Sequence, residues 1–255
     1  MACTIAVIPA AGLGTRMRPL TYYVAKELLP LGSLPALDYI MQELAECEIT
    51  DAVLVSSEAK KPYFEFYAGE CLKRYGITCH ITLQENPMGL GHAVLCAKEV
   101  VGNNQFVVAL PDDILVKENA TKKLIAAADS VCGSAILGLR VDREDVEKYG
   151  IIKAQKDSLL VDSFIEKPKK SEAPSNLAIV GRYCFSPLLW AELEAHLAKK
   201  LATNDPKELD LTVPMNSLIA SGQKIIVSEF NGIRHDTGKM DGYLKAFCEL
   251  ANSKR

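Results

Sequence analysis

The chain is poor in the features that build metal clusters, membrane spans and polyanion-binding surfaces. Its 255 residues include only four histidines and one tryptophan, and its formal net charge is −3. This balance excludes the strongly basic surface of a nucleic-acid-binding protein or of a protein held at an anionic membrane. The sequence also lacks a run of about eighteen apolar residues, which excludes a membrane-spanning helix.

Further absences concern targeting and zinc binding. The start of the chain lacks the charged segment and long apolar run of a secretory signal peptide. The eight cysteines contain no Cys-x-x-Cys pair and the histidines are scattered, which disfavours a cysteine-based zinc site. In a reducing compartment such cysteines act as small core hydrophobes. We therefore expect a cytoplasmic protein with neither a nucleic-acid nor a membrane partner.

What the sequence does contain is an alternation of strand and helix patterns. We predict strands at about residues 4–9, 51–55, 77–83, 105–110 and 134–141. The helices between them are predicted at about residues 35–48, 60–75, 91–101 and 118–130. This spacing is typical of right-handed β-α-β units, so we expect an α/β fold with a mixed, mostly parallel sheet flanked by helices.

After residue 145 the pattern changes to shorter strands. These are predicted at about residues 149–152, 159–165 and 177–185, and they either extend the sheet in mixed orientation or form a small lobe over it. The remaining elements are predicted as helices at 187–200 and 211–221, a strand at 224–230 and a helix at 243–253. With 49% hydrophobic residues and no repeat or obvious linker, the chain favours a single domain over residues 1–255.

The most informative segment follows the first predicted strand. Residues 8–20 read IPAAGLGTRMRPL, and residues 26–30 read KELLP. Small residues let a ligand approach the backbone closely, and its N–H groups can then bind anionic oxygens. Since Arg16, Arg18 and Lys26 add positive charge, the segment predicts a triphosphate-binding site.

Two familiar phosphate-binding loops are excluded. A P-loop requires Lys-Ser/Thr directly after its second glycine, and no such pair follows these glycines. A dinucleotide-binding loop needs a third small residue at the position of Met17. Taken alone, Gly-x-Gly is also compatible with a strand-to-helix turn whose glycines serve packing.

Segments after later strands are the next candidates, because ligands of open parallel sheets bind beyond the carboxyl ends of the strands. Gln84 offers a donor and an acceptor for a base edge, and Gly89 allows close backbone approach. Asp112 suits Mg²⁺ beside phosphates, with Asp236 as a candidate second ligand. Taken alone, Asp112 and Asp113 are equally compatible with a turn or a helix N-cap.

The last candidate is the pair Glu166 and Lys167. The carboxylate can accept hydrogen bonds from sugar hydroxyls, and the ammonium group can bind a sugar phosphate. Taken alone, such a pair is usually solvated surface charge. The pair His235 and Asp236 has no serine or cysteine placed to complete a nucleophilic triad.

Taken together, these segments resemble the sugar-1-phosphate nucleotidylyltransferases. The resemblance covers about residues 4–250 and rests on motifs in a fixed order, namely AAGLGTRM, KELLPL, GLGHAVL, LPDDIL, YGII, EKP, APSNLAIVGRY and HDTG. The long motif APSNLAIVGRY favours the uridylyl-transferring branch over the thymidylyl-transferring branch. The resemblance implies a Rossmann-like fold of the glycosyltransferase-A type. It also implies Mg²⁺-dependent formation of UDP-glucose and pyrophosphate from UTP and glucose 1-phosphate.

The resemblance also implies roles for the nucleotide-binding residues, which lie within about residues 1–145. Contacts with the nucleotide are implied for Ala11, Gly12 and Gly14, with Gln84 and Gly89 on the uracil. Arg16 and Lys26 are implied to hold the triphosphate and to act in catalysis.

Residues of about 146–255 are implied to bind the sugar. Gly150, Glu166 and the backbone near Ile179 are assigned to glucose by the resemblance, and Lys167 is assigned to the sugar phosphate as a third catalytic cation. Asp112 and Asp236 are implied to bind Mg²⁺. A homo-oligomer, either dimer or tetramer, is implied as well.

The chain departs from the family pattern at several positions. Ala25 and Met88 stand where the family usually has proline and lysine, and Val213 replaces an aspartate. The segment of about residues 57–77 is shorter than usual. These departures leave the sugar preference and the subunit contacts open.

Three alternatives to a UTP- and glucose-specific enzyme remain at this point. The first is an enzyme that uses dTTP or another sugar 1-phosphate. The second is a non-catalytic sensor of nucleotide sugars, and the third is an interaction protein that merely keeps the fold. Retention of the cations and carboxylates that surround phosphates argues against a sensor, which has no use for them.

Overall fold

The computed structural model describes residues 3–252. The strands are β1 (Ile5–Pro9), β2 (Pro30–Leu31), β3 (Leu34–Pro35), β4 (Asp51–Ser56), β5 (Thr78–Leu83), β6 (Phe106–Ala109), β7 (Asp113–Val116), β8 (Ser134–Arg140), β9 (Gly150–Ala154), β10 (Val161–Glu166), β11 (Leu177–Phe185), β12 (Ile225–Glu229) and β13 (Ile233–Asp236). The α-helices are α1 (Ala36–Ala45), α2 (Lys61–Tyr75), α3 (Leu90–Leu95), α4 (Lys98–Val101), α5 (Ala120–Val131), α6 (Leu189–Thr203), α7 (Thr212–Ala220) and α8 (Met240–Asn252).

A nine-stranded mixed sheet forms the centre of the molecule. Strand β1 pairs in parallel with β4 on one side and with β6 on the other, and β5 continues the parallel array beyond β4. These strands are joined through helices that cover the sheet, as their spacing in the sequence predicts. The α/β fold expected from the sequence is therefore confirmed.

Strands β9 to β12, which follow residue 145, extend this sheet instead of forming a separate lobe. Strand β11 pairs antiparallel with β6, β8 and β9. Strand β10 pairs antiparallel with β9, while β12 runs parallel to β8. Strands from both parts of the chain thus share one sheet, and the mixed orientation is the correct alternative.

The core lies in two layers, one on each face of the sheet. Successive side chains of a strand point to opposite faces, so Ala6 and Ile8 of β1 enter one layer while Ile5 and Val7 enter the other. Helices α1, α2, α5 and α8 cover the first layer, and α3, α4, α6 and α7 cover the second. Both faces of β1 are buried, which places its carboxyl end at a rigid point of the fold.

The structure differs from the predicted elements in a few places. The helix predicted at 91–101 is divided into α3 and α4, because the N–H of Ala97 bonds the carbonyl of Val94 three residues back and closes the turn. The predicted end of the last helix, Ser253, lies outside the described residues. Strands β7 and β13, which form a two-stranded antiparallel ribbon, were not predicted.

Candidate active site

The chain leaves β1 through a segment, residues 10–14, that we call the glycine loop. The N–H of Ala10 still bonds the carbonyl of Val55 in β4, at 2.8 Å. Within the described residues 3–252, the N–H groups of residues 11–14 have no hydrogen-bond partner. Gly14 has a φ of 62° and its carbonyl accepts a hydrogen bond from the Thr21 hydroxyl. Successive free N–H groups at the end of a buried strand make a site suited to phosphate oxygens.

Lys26 and Asp112 form an ion pair beside the glycine loop. The Nζ atom of Lys26 lies 2.6 Å from Oδ2 of Asp112. Burial lowers the pKa of Lys26, but attraction to Asp112 and Glu27 outweighs this, so its pKa lies above the usual value. Burial raises the pKa of Asp112, but Lys26 and Arg16 outweigh it in turn and hold that pKa below its usual range. Both groups are therefore charged at neutral pH.

The ribbon of β7 and β13 brings Asp236 to Asp112. The N–H and hydroxyl of Thr237 both donate to the backbone carbonyl of Asp112, at 2.8 and 3.1 Å. A methyl group placed on Gly238 would lie 3.1 Å from Oδ2 of Asp112 and 3.1 Å from Oδ1 of Asp236. It would also lie 3.5 Å from Nη2 of Arg16. The absence of a side chain at Gly238 thus leaves a small space that two carboxylates and a guanidinium group share.

This donor set fits Mg²⁺. The two carboxylates supply the hard oxygen ligands that the ion prefers, and Mg²⁺ usually completes its shell with water and substrate phosphates. Within residues 3–252 there is no group of three or more His, Cys, Asp or Glu side chains placed to hold a metal. Asp112 and Asp236 thus supply two oxygen ligands, and the other positions of the shell are those that water and phosphate fill.

A cavity of about 410 Å³ adjoins these carboxylates, and we call it the central cavity. The predicted site residues that line it are Arg16, Asp112, Gly150, Glu166, Lys167, Ile179 and Asp236. Lys26 is connected to it through Asp112. The structure thus brings together the predicted metal ligands and the predicted sugar-binding residues, although they are far apart in the sequence.

Close packing shapes the part of the central cavity lined by the predicted sugar-binding residues, which we call the sugar side. A methyl group on Gly150 would lie 3.0 Å from Oε2 of Glu166 and 2.9 Å from Cδ1 of Ile179, so a larger residue there would displace the ends of both side chains. The Thr212 hydroxyl donates to Oε2 of Glu166 at 3.1 Å. Lys167 has a φ of 43°, and its Nζ atom lies 3.5 Å from Oε1 of Glu166 in an exposed position.

Gln84 and Gly89 lie at the carboxyl end of β5, outside the central cavity. The Nε2 group of Gln84 donates to the carbonyl of Gly89 at 3.1 Å and lies 3.0 Å from Nδ1 of His92. Because a carbonyl can only accept, the amide nitrogen must face Gly89, and Nδ1 of His92 acts as a second acceptor. Burial lowers the pKa of His92, which favours the neutral ring. Within residues 3–252 no hydrogen bond is made to the Oε1 atom of Gln84, which leaves it for a donor on a ligand.

Gly89 also has a packing role that the sequence did not show. A methyl group there would lie 2.8 Å from the backbone of Leu209, and its φ of 108° is unfavourable for other residues. The adjoining Met88 carbonyl accepts a hydrogen bond from the N–H of Leu209. The loop after β5 is thereby fixed to the segment that leads into α7.

Several polar residues around the site were missed by sequence reasoning. Arg234 donates to Oδ1 of the buried Asp113 at 2.7 Å and to the hydroxyl of Tyr149 at 3.2 Å, so it joins the ribbon to the sugar side. Burial raises the pKa of Asp113, against the opposing charge of Arg234. Lys60 and Glu27, beside the glycine loop, were missed as well. Gln84 was selected because ligands of open parallel sheets bind beyond the carboxyl ends of the strands. Lys60 follows the carboxyl end of β4, so the same argument applied to it.

Comparison with known proteins gives the family of the chain. Residues 5–253 match the family model described as nucleotidyl transferase. The chain belongs to this family. A curated relative, UTP–glucose-1-phosphate uridylyltransferase 1 of Streptococcus pyogenes serotype M1, is 35% identical in an alignment that covers 96% of this chain and 88% of the relative.

Two solved structures resemble this nucleotidyl transferase over nearly its whole length. An apo UDP-glucose pyrophosphorylase has a TM-score of 0.88 and 26% identity, over 99% of this chain and 100% of that chain. A UDP-glucose pyrophosphorylase complexed with UDP-glucose has a TM-score of 0.87 and 28% identity, over the same shares of both chains. The family and fold expected from the sequence are confirmed. No helix in the described part of this nucleotidyl transferase is long and apolar enough to cross a membrane.

Proposed function

We propose that this protein transfers a uridylyl group from UTP to glucose 1-phosphate and so forms UDP-glucose and pyrophosphate. The observation that carries the proposal is the central cavity, where Arg16, Asp112 and Asp236 meet Glu166 and Lys167. A site of this kind can hold two phosphate-bearing substrates side by side. Relatives named for this reaction, and one crystallised with its product, support the choice of substrates.

The nucleotide binds at the glycine loop. The free N–H groups of residues 11–14, together with Arg16 and Lys26, bind the triphosphate and stabilise the negative charge of the departing pyrophosphate. Gln84 directs its free carbonyl oxygen to the N3–H of uracil. Cytosine carries no hydrogen on N3, so this acceptor selects against it.

Asp112 and Asp236 are the residues that would hold Mg²⁺. The bound ion would neutralise phosphate charge next to the reacting phosphorus. In the structure the ammonium group of Lys26 contacts one carboxylate oxygen of Asp112. If Mg²⁺ took that oxygen, the ammonium group would be free to bind a phosphate.

The sugar phosphate binds on the opposite side of the central cavity. Glu166, fixed by Thr212, accepts hydrogen bonds from glucose hydroxyls, and Lys167 binds the phosphate. A phosphate oxygen of glucose 1-phosphate then attacks the α-phosphorus in line, and pyrophosphate leaves. Since that oxygen is already anionic, no general base is needed, and catalysis consists of positioning and charge neutralisation.

The test is release of pyrophosphate from purified protein with Mg²⁺. UTP and dTTP are each supplied with glucose 1-phosphate and then with galactose 1-phosphate. Fast release that requires both UTP and glucose 1-phosphate is the expected result. Release with a different pair would contradict the proposed substrates while keeping the mechanism. Binding of UTP without release from any pair would favour the sensor.

Two expectations from the sequence, a homo-oligomer and a cytoplasmic location, stay predictions. Size-exclusion chromatography with light scattering measures the first directly.

A further inference from the structure

Lys60 makes an unusual set of contacts beside the glycine loop. It lies between β4 and α2, where the carboxyl end of β4 adjoins that of β1. Its Nζ atom donates to the backbone carbonyls of Ala10 at 2.9 Å and of Gly12 at 2.6 Å. It also contacts both carboxylate oxygens of Glu27, at 3.1 and 3.0 Å. All three donors of the ammonium group are therefore used inside the protein.

The side chains of Lys60 and Glu27 are shielded from water. The side chain of Lys60 is 11% exposed and that of Glu27 is fully buried. Burial raises the pKa of Glu27 and lowers that of Lys60, and attraction between the two groups opposes both shifts. Lys26 and Asp112 are further charges that act on the pKa of Lys60. A lone buried carboxylate would be strongly unfavourable, so Glu27 keeps Lys60 in place.

The contacts of Lys60 determine which way the glycine loop faces. A trans peptide unit is planar, and its C=O and N–H point in opposite directions. The carbonyl of Ala10 shares a peptide unit with the N–H of Ala11, and the carbonyl of Gly12 shares one with the N–H of Leu13. When both carbonyls turn towards Lys60, both of these N–H groups point away from it, and neither has a partner among the described residues.

We propose that Lys60 is a positioning residue for the nucleotide: by holding the carbonyls of Ala10 and Gly12, it directs the N–H groups of Ala11 and Leu13 at the triphosphate. The inference rests on the proposed binding of a nucleoside triphosphate at this loop. Lys60 itself does not touch the ligand. Glu27 is adjacent in the chain to Lys26, so the same buried pair also fixes the backbone from which Lys26 reaches Asp112.

The primary experiment measures the Kd for UTP by calorimetry, with Mg²⁺ and without sugar phosphate. Lys60→Met keeps the length of the side chain but removes its donors, and we expect Kd to rise by about tenfold or more because the loop loses its orientation. Lys61→Met is the matched control, because this neighbouring lysine is 40% exposed and pairs only loosely with Glu65, at 3.8 Å. The control should bind UTP like the unmodified protein.

A double variant separates positioning from mere charge neutralisation. Lys60→Met leaves Glu27 without its partner, which should lower Tm by roughly 10 °C. Adding Glu27→Gln removes the buried charge, and we expect it to restore much of Tm but not the affinity for UTP. If the double variant regains affinity along with Tm, Lys60 serves stability alone and the proposal is overturned.

Kinetics provide a second readout. In Lys60→Met the KM for UTP should rise, while the KM for glucose 1-phosphate at saturating UTP should change by less than about twofold, since Lys60 acts on the nucleotide loop alone. An unchanged Kd and KM for UTP in Lys60→Met overturns the inference. If the unmodified protein prefers another triphosphate, the proposed substrate is wrong, and the same comparison made with that triphosphate still tests Lys60. If it binds none, both proposals fail.

Discussion

Two lysine–glutamate pairs near the site differ in how they are held. Lys60 and Glu27 are buried, and their contacts include two backbone carbonyls. Glu166 and Lys167 are 38% and 64% exposed in their side chains and lie 3.5 Å apart. Water screens the exposed pair and leaves its lysine mobile. With the proposed substrates, the comparison predicts a nucleotide side that is built in advance and a Lys167 that takes its final position when the sugar phosphate binds.

The difference has a physical rationale. Donors that are already oriented stabilise charge without reorganisation during the reaction. A mobile lysine must lose rotamer freedom on binding, but it can follow a phosphate that changes its bonds during the reaction. The following substitutions test whether the two sides of the site are held differently.

Asp112→Asn should have the largest effect, because Asp112 contacts the nucleotide side through Lys26 and also faces the space shared with Asp236. We expect the Mg²⁺-dependent rate of pyrophosphate release to fall by about 10³-fold or more. Circular dichroism checks that the variant is folded. Retention of a tenth of the original rate would remove Asp112 from the proposed metal site.

Lys167→Met should lower the activity but leave the thermal stability unchanged. We expect kcat/KM for glucose 1-phosphate to fall by about 10²-fold, since a cation at the nucleophile is lost. Because the side chain is largely exposed, Tm and the Kd for UTP should stay unchanged. A fall in Tm as large as that of Lys60→Met would show that the two lysines are not held differently, and the comparison would be lost.

His92→Leu tests whether the base site is built in advance as well. Loss of the acceptor at Nδ1 leaves the amide of Gln84 fixed by Gly89 alone. We expect the preference for UTP over CTP, measured as the ratio of kcat/KM values, to fall by about three- to tenfold. An unchanged ratio would mean that His92 does not orient Gln84.

Thr212→Val should have the smallest effect and applies to the sugar side. It removes the hydrogen bond to Oε2 of Glu166 with little change in shape. Loss of one hydrogen bond predicts a rise of about twofold to fivefold in the KM for glucose 1-phosphate, with the KM for UTP unchanged. Thr203→Val is the control, since this threonine lies exposed at the end of α6 and bonds only its own helix.

Sequence reasoning found the elements that carry strong local patterns. Buried strands such as β1 and β6 stand out because they are short apolar runs bounded by turn residues. The strands β7 and β13 were missed, since Ile233–Asp236 contains arginine, histidine and aspartate and its pairing partner Asp113–Val116 is far away in the chain. Their stability comes from that non-local pairing, which local propensity does not encode.

The same reason explains which site residues were found. Gly12, Asp112 and Lys167 lie in compact motifs, and each was selected by its chemistry and its place after a strand. Lys60 and Thr212 act on residues 48 and 46 positions away in the sequence, Gly12 and Glu166. Neither has a distinctive local pattern, so only the fold reveals what they hold. The roles of all these residues stay predictions until the variants are measured.

Strand β11 has a consequence for how the molecule can be divided. It pairs with β6 of the first part of the chain and also with β8 and β9. A fragment that ends at residue 145 would therefore leave one edge of the wholly buried β6 bare. Exposed apolar edges recruit other chains and promote aggregation. A fragment of residues 1–145 is thus poorly suited to independent expression or to transfer into another protein. A split reporter built from this protein would have to divide the chain at another position.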